Sequence, residues 1–251
     1  MLNNYSKTAI IIPTYNEKDN IRKLIQTIFG ISNDMTIIVV DDNSPDKTGE
    51  IADALTKKYK NLKIIHRTKK NGRGGACIEG FKRALDEGFE YIFEMDADFS
   101  HDPIDIPRLL TKVLEGNDMV IGSRYLKGSK ILNWGLKRTI FSKFANIYAR
   151  VILGIPIHDY TNGYRCYTRK TLEAIDFDRI EASGYIVLSE MSYQLHKKHF
   201  KISEIPITFV NRKRGISNLS IHEITSAFTS VIKLRWNYFR RKSSSSSSVS
   251  C

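Results

Sequence analysis

The sequence predicts an α/β protein built around a doubly wound, mainly parallel sheet. Three observations carry that expectation. Short β-branched runs alternate with segments whose apolar residues recur at helical spacing. Glycine and proline stand at the joints. Carboxylate-rich polar clusters follow three of the strands directly, at the strand ends where such sheets place their ligands.

The elements follow in order. TAIIIP (8–13) reads as a buried strand, and Ile21, Leu24, Ile25, Ile28 and Phe29 as one face of a helix closed by Gly30. TIIVVD (36–41) is the second strand, and Ile51, Ala54, Leu55 and Tyr59 mark the second helix. LKIIH (62–66) is the third strand, and a helix runs through Ala76, Phe81, Ala84 and Leu85 to Gly88. YIFEMD (91–96) is the fourth strand. Pro103 opens a helix carrying Ile106, Leu109, Leu110, Val113 and Leu114. DMVIGS (118–123) is the fifth strand. Residues 136–154 read as a further helix, with Ile140, Phe144, Ile147, Tyr148, Val151 and Ile152 as an apolar stripe among Lys137, Arg138, Lys143 and Arg150.

Composition narrows the function classes. The 251 residues carry 39 Lys+Arg against 27 Asp+Glu, a net charge of +12. The imbalance lies in the second half: residues 1–123 hold 17 basic against 19 acidic side chains, and residues 124–242 hold 22 against 8. A solvated basic surface is one reading, and a face for an anionic partner is the other. Zinc-finger, RNP-type and leucine-zipper patterns are missing, which argues against a nucleic-acid partner. Three unpaired cysteines, Cys77, Cys166 and Cys251, argue against a disulfide scaffold. The N-terminal stretch has no signal-peptide pattern, and no apolar run reaches about 18 residues, so a peripheral rather than spanning relation to a membrane is expected. The chain is expected to form one domain over 1–242, with a nucleotide-binding half (1–123), a basic acceptor-facing half (124–242) and a disordered Ser-rich tail (243–251).

The polar clusters are PTYNE (13–17), DDNSPDKT (41–48) and DADFSHDP (96–103). Each alone is compatible with turn and cap chemistry. Together they gather carboxylates on one sheet edge, where repulsion calls for a cation or for donors. Asp96 and Asp98, two apart at a strand end, suit one Mg²⁺ or Mn²⁺ shared with a substrate diphosphate. No GxxxxGK[ST] loop is present, which argues against a P-loop NTPase. NGRGG (71–75) reads equally as a flexible Gly-Arg loop or as a plain helix start.

PTYNE, VVDDNSPDKT, GRGGA, MDADFSHDP, IGSRY, DYTNGYR and PITFVNRKRGISNL occur in the order seen in the family-2 inverting glycosyltransferases. Over roughly residues 8–235 the chain resembles this family, and within it the dolichol-phosphate mannosyltransferase catalytic subunits. The resemblance implies a GT-A fold, a nucleotide-binding α/β half followed by an acceptor-side helical/β extension. It implies mannose transfer from GDP-mannose to dolichyl or another polyprenyl phosphate. By position it implies donor contacts from Pro13, Tyr15, Glu17, Val40, Asp42, Ala97, Arg124, Arg212 and Asn218. Metal and phosphate binding fall to Asp96 and Asp98, and acceptor-phosphate binding to Arg124, Arg138 and Ser142. Asp96, Asp98 and Arg124 are the catalytic candidates. Two departures stand out: Ser100 occupies a place where many relatives have Gln, and Asn218 a place where the family often has Lys.

The acceptor side can also be argued from chemistry. A phosphate monoester is already anionic near neutral pH, so it needs cationic positioning rather than a strong base. A sugar-hydroxyl acceptor would need one, and Asp159 is then the candidate, although it is read first as orienting Arg165. His101 and His158 read as hydrogen-bonding residues, Cys77 and Cys166 as packed side chains, and Glu190 as either facing the site or supporting an arginine. Residues 136–154 and 221–242, with Trp236, Tyr238 and Phe239 beside Lys233, Arg235, Arg240, Arg241 and Lys242, read as core helices or as interfacial ones. The resemblance implies a place on the cytoplasmic face of a membrane, the endoplasmic reticulum in a eukaryotic cell, held either by small membrane subunits as partners or by direct adhesion through these two basic segments. Alternatives left open are a UDP-sugar hexosyltransferase, a silent nucleotide-sugar-binding homologue and a nucleic-acid-binding protein.

Overall fold

Five strands are hydrophobic on consecutive residues rather than alternate ones, and the sheet explains why. In the computed structural model, which describes residues 2–70, 72–180, 186–211, 228–238 and 240, β1 (Thr8–Thr14), β2 (Thr36–Asp41), β3 (Leu62–His66), β4 (Tyr91–Glu94) and β5 (Met119–Ser123) join β7 (Arg165–Thr168) and β8 (Ile202–Pro206) in a seven-stranded sheet. Its order is β3-β2-β1-β4-β7-β5-β8. All neighbours run parallel except β7, which is antiparallel to both β4 and β5. The sheet therefore takes strands from both halves of the chain.

Both faces of the sheet are covered, so the inner strands are apolar on both faces, while β3 at the edge is only half-buried. Ile10, Ile12, Ile37 and Val39 point to a core shared with α2 (Ile21–Ile31), α3 (Thr48–Thr56) and α5 (Ile106–Leu114). Ala9, Ile11, Ile38 and Val40 point to the opposite core, shared with α4 (Gly72–Asp86), α6 (Leu136–Leu153), α7 (Arg169–Ala174) and α8 (Ile186–Lys197). A short helix, α1 (Leu2–Tyr5), precedes β1. Helix α4 lies close on the sheet because Gly80 has no side chain: a Cβ there would stand 2.3 Å from Ile11 Cγ2.

Several boundaries differ from the sequence expectation. Gly30 does not end α2, which continues to Ile31 and is capped by Ser32. Helix α3 buries Thr48, Gly49, Ala52 and Leu55 and leaves Ala54 exposed. Its first turn is anchored by Thr48, whose Oγ1 donates to Asp46 and accepts the Glu17 N–H, and this rotates the buried face. Gly72, Arg73, Gly74 and Gly75 form the first turn of α4, the helix-start alternative. A second sheet pairs β6 (Lys130–Leu132) with β9 (Thr208–Val210) in parallel.

Helix α6 is not a core helix along its whole stripe. Asn146, Ala149 and Leu153 face inward, whereas Leu136, Ile140, Phe144, Ile147 and Val151 are exposed, Val151 at 75%. Gly154 ends the helix in the left-handed region, φ 69°. The helical residues 228–238 lie beside it: Tyr148 Oη donates to the Phe228 carbonyl and Arg235 to the Leu153 carbonyl. Among the described residues, no helix is long and apolar enough to cross a membrane.

Candidate active site

The parallel strands β1, β2 and β4 end together, and their polar sequels line an open cleft of about 270 Å³. Pro13, Thr14, Tyr15, Glu17 and Asp42 form one wall, Asp96, Ala97, Asp98 and Ser100 the floor, and Arg138, Phe209 and Asn211 the opposite wall. Strand β9 is joined to the floor by a bridge between Phe209 and His101 and by Val210 N–H on the Ser100 carbonyl.

On the first wall, the Lys70 ammonium stands 3.5 Å from the centre of the Tyr15 ring. Glu17 accepts from Asn20 Nδ2 at 2.7 Å. Asp42 accepts from Arg67 Nη1 at 2.6 Å and from the Gly72 N–H at 2.9 Å, which ties β2 to the start of α4. Val40 does not reach the cleft. Its position in a strand covered on both faces sends its side chain into the core, next to Gly80.

On the floor, Asp96 Oδ1 accepts from Arg73 Nε at 2.6 Å. The same guanidinium donates to Glu94, whose side chain is fully buried, at 3.2 Å, and to the Gly163 carbonyl. Burial is the largest single effect and would raise the Asp96 carboxyl, but the charge and hydrogen bond of Arg73, with the charges of His101 and Arg124, together outweigh it and hold the group at about 2. The Asp96 N–H donates to His101 Nδ1 at 3.0 Å, so the His101 ring proton sits on Nε2 and is given to Asn162 Oδ1 at 2.8 Å. His101 is fully buried and stacked on Tyr164, a hydrogen-bonding residue as expected. Asp98 Oδ1 accepts the Ser100 N–H at 3.0 Å.

The floor fits a divalent cation that is completed by its substrate. Two carboxylates two residues apart face one cleft, and no cluster of three or more metal-ligating side chains occurs among the described residues. Ser100 Oγ is buried at the cleft without a hydrogen-bond partner. That leaves a side-chain oxygen at the cleft floor beside Asp98.

Across the cleft, Arg124 is buried rather than lining the surface. Its Nε and Nη2 donate to the two oxygens of Asp159 at 2.8 and 2.7 Å, its backbone N–H donates to the same carboxylate, and Nη2 also reaches Thr161 Oγ1. Tyr125, Trp134 and Phe209 surround the guanidinium at 5.3–5.5 Å. Two expectations are corrected here. Asp159 is not placed to act as a base, because it is fully buried, both its oxygens are taken, and Arg124 holds its carboxyl low against the effect of burial. Nor does it orient Arg165, which instead donates to the Asn162, Leu188 and Tyr160 carbonyls and to Ser192. The turn bearing Asp159 is fixed by Glu204, which accepts from the Asp159 N–H and from both the N–H and Nδ1 of His158.

Arg138 lines the cleft from the first turn of α6, stacked 4.4 Å from Trp134 and donating to Asn211 Oδ1. Ser142, one turn further, accepts from Tyr125 Oη at 2.6 Å and is not part of the cleft surface. Glu190, Cys77 and Cys166 are buried, and burial pushes both thiols up. Arg212, Lys213, Arg214, Asn218, all of 221–227, Phe239, Arg241, Lys242 and the tail lie outside the described residues. The sequence reading missed Arg73, Lys70, Phe209 and Asn211. Only Arg73 had a signal, as the one cation inside a glycine-rich turn.

The sequence profile described as glycosyl transferase family 2 matches residues 9–176. A polyprenol monophosphomannose synthase from Mycolicibacterium smegmatis is 41% identical over 90% of this chain and 85% of its own length. An undecaprenyl-phosphate mannosyltransferase from Micrococcus luteus is 39% identical over 94% of this chain and 98% of its own. A dolichol-phosphate mannosyltransferase from Pyrococcus furiosus is 39% identical over 85% of this chain and 59% of its own. A crystal structure of Mycobacterium tuberculosis glucosyl-3-phosphoglycerate synthase, in complex with Mn²⁺, UDP-glucose and phosphoglyceric acid, superposes with a TM-score of 0.65 at 19% identity. The match covers 92% of this chain and 80% of that one and shows the GT-A fold.

Proposed function

The chain belongs to glycosyl transferase family 2, and on that premise we propose that it moves mannose from GDP-mannose to a polyprenyl phosphate such as dolichyl phosphate, with inversion, at a membrane surface. The observation that carries this reading is one cleft with the Asp96/Asp98 pair on its floor and Arg138 on the facing wall. Pro13, Tyr15, Glu17 and Asp42 hold the nucleoside, and the family resemblance adds Arg212 and Asn218 as donor contacts. Asp96, Asp98 and the Ser100 hydroxyl hold Mg²⁺ or Mn²⁺. Once bound, the ion neutralises charge on the departing diphosphate.

The acceptor phosphate supplies its own nucleophilic oxygen, so the site needs no free carboxylate on the acceptor side. The commitment of Asp159 to Arg124 supports that. Arg138 meets the acceptor phosphate, and Ser142, one turn along α6, extends the same face toward the lipid. Arg124 acts from behind the wall as a fixed positive charge. The exposed stripe of α6, flanked by Lys137, Lys143 and Arg150, lies on the anionic lipid surface that carries the acceptor.

The test is sugar transfer in detergent to a short polyprenyl phosphate, with Mg²⁺ or Mn²⁺ and with GDP-mannose and UDP-glucose in parallel. A metal-dependent, acid-labile lipid-linked mannose from GDP-mannose alone is the expected product. Product from UDP-glucose alone overturns the donor assignment, and folded protein that binds neither nucleotide sugar overturns the transferase reading.

A further inference from the structure

Arg73 sits where a cation bound to Asp96 would have to compete with it. Its Nε is 2.6 Å from Asp96 Oδ1 and its Nη1 is 3.2 Å from Glu94 Oε2. Glu94 is fully buried and also accepts from Tyr167 Oη at 2.8 Å, so this carboxylate draws on the same guanidinium. The seat is shaped for that group. A Cβ on Gly163 would stand 1.9 Å from Arg73 Nη2 and 2.6 Å from Cζ, so only glycine leaves room for it. The arginine is itself delivered by the first turn of α4, whose Gly72 N–H is fixed by Asp42.

We propose that Arg73 is a built-in counter-cation for Asp96, displaced from it when a divalent cation binds, and that it thereby makes cation binding depend on the nucleotide sugar. The proposal rests on Asp96 and Asp98 being the metal carboxylates. A fixed positive charge in hydrogen-bond contact with one ligand oxygen opposes a dication at the same carboxylate. It also occupies one of the lone pairs the dication needs. A donor diphosphate brings negative charge that offsets this repulsion and gives the released guanidinium a new partner. Cation and nucleotide sugar are then coupled, each tightening the other. Arg73 acts here through Asp96 and is a positioning residue.

The experiment measures Mn²⁺ affinity by electron paramagnetic resonance on the purified full chain, without nucleotide and with saturating GDP. Arg73→Met is expected to tighten nucleotide-free Mn²⁺ binding about tenfold, with a smaller gain when GDP is present. Gly163→Ala keeps the arginine but pushes its guanidinium off its seat, and is expected to shift nucleotide-free binding the same way by a smaller factor. It carries the test if Arg73→Met does not fold. Folded variants whose nucleotide-free Mn²⁺ affinity is unchanged or weaker overturn the proposal. The metal reading fails separately, if wild-type protein saturated with GDP binds no Mn²⁺ or if Asp98→Asn binds it equally well.

Discussion

Arg124 and Asp159 form a forked ion pair, fully closed on the carboxylate side: Nε and Nη2 of the arginine meet the two oxygens at 2.8 and 2.7 Å, and the Arg124 backbone N–H meets one of them again at 3.0 Å. Breaking a buried pair by removing one partner leaves an uncompensated charge and costs about 3–5 kcal/mol. Asp159→Ala is expected to lower unfolding stability by that order, read from urea denaturation. In a variant that still folds, such as Asp159→Asn, the KM for the polyprenyl phosphate rises while the KM for the nucleotide sugar stays constant. A rise in the donor KM alone would contradict the assignment of Arg124 to the acceptor side.

Two arginine–carboxylate pairs, Arg73 with Asp96 and Arg124 with Asp159, set a pH dependence. Asp96 and Asp159 both have carboxyls lowered from 3.8 in the folded protein, Asp96 to about 2. A depressed carboxyl stabilises the fold above its unfolded value, and that stability is lost as pH falls through the folded value. Asp96 alone contributes about 2 kcal/mol on this basis. Urea midpoints are expected to be flat above pH 5 and to drop between about 4 and 2. Arg73→Met is expected to flatten that drop, because the charge that lowers Asp96 is gone. An acid transition unchanged in Arg73→Met would contradict the coupling.

Asp98 is the cleaner probe of catalysis, since Asp96 is tied to Arg73 and His101. Asp98 bonds the Ser100 N–H at the cleft floor, and Asn keeps an oxygen for that bond. Asp98→Asn is therefore expected to fold with wild-type stability and to lose turnover by about a hundredfold or more. Steady-state transfer beside thermal unfolding checks both parts. Retained turnover would remove Asp98 from the metal site.

These relationships were legible in the sequence to different depths. Strands buried on both faces announce themselves as unbroken apolar runs, so β1 and β2 were readable to the residue or nearly so. Strand β7 was not. It spans four residues, begins with the fully buried Arg165, and owes its place to pairing with β4 and β5, which no local pattern reveals. The Asp96/Asp98 pair could be found because its spacing is local. The partners of Asp159 and Arg73 are 35 and 23 residues away, and only the fold chooses Arg124 over Arg165 for the first and Asp96 for the second. Val40 was misplaced for the opposite reason. Its neighbour Asp42 lies just past the end of β2 and reaches the cleft, whereas Val40 is still inside the strand and packs into the core.

The exposed stripe of α6 makes the last prediction. Ile140, Phe144, Ile147 and Val151 are each more than half exposed on one helix face, and Ile232 and Trp236 are exposed on the adjacent helical segment with Lys233, Arg235 and Arg240. Scattered exposed apolar residues are ordinary, but a continuous stripe with basic flanks fits a lipid interface. Removing an aliphatic side chain from water contributes about 1.5–3 kcal/mol, so Ile140→Ser with Val151→Ser is expected to weaken binding to anionic vesicles at least tenfold. Because both side chains already face solvent, unfolding stability should change by less than about 0.5 kcal/mol. Vesicle sedimentation at two salt concentrations separates the contributions. The basic flanks predict weaker binding at high salt and on neutral lipid, and the stripe predicts a residual that salt does not remove and the serines do. Equal vesicle binding by the double variant and the wild type would place the membrane contact elsewhere on the molecule.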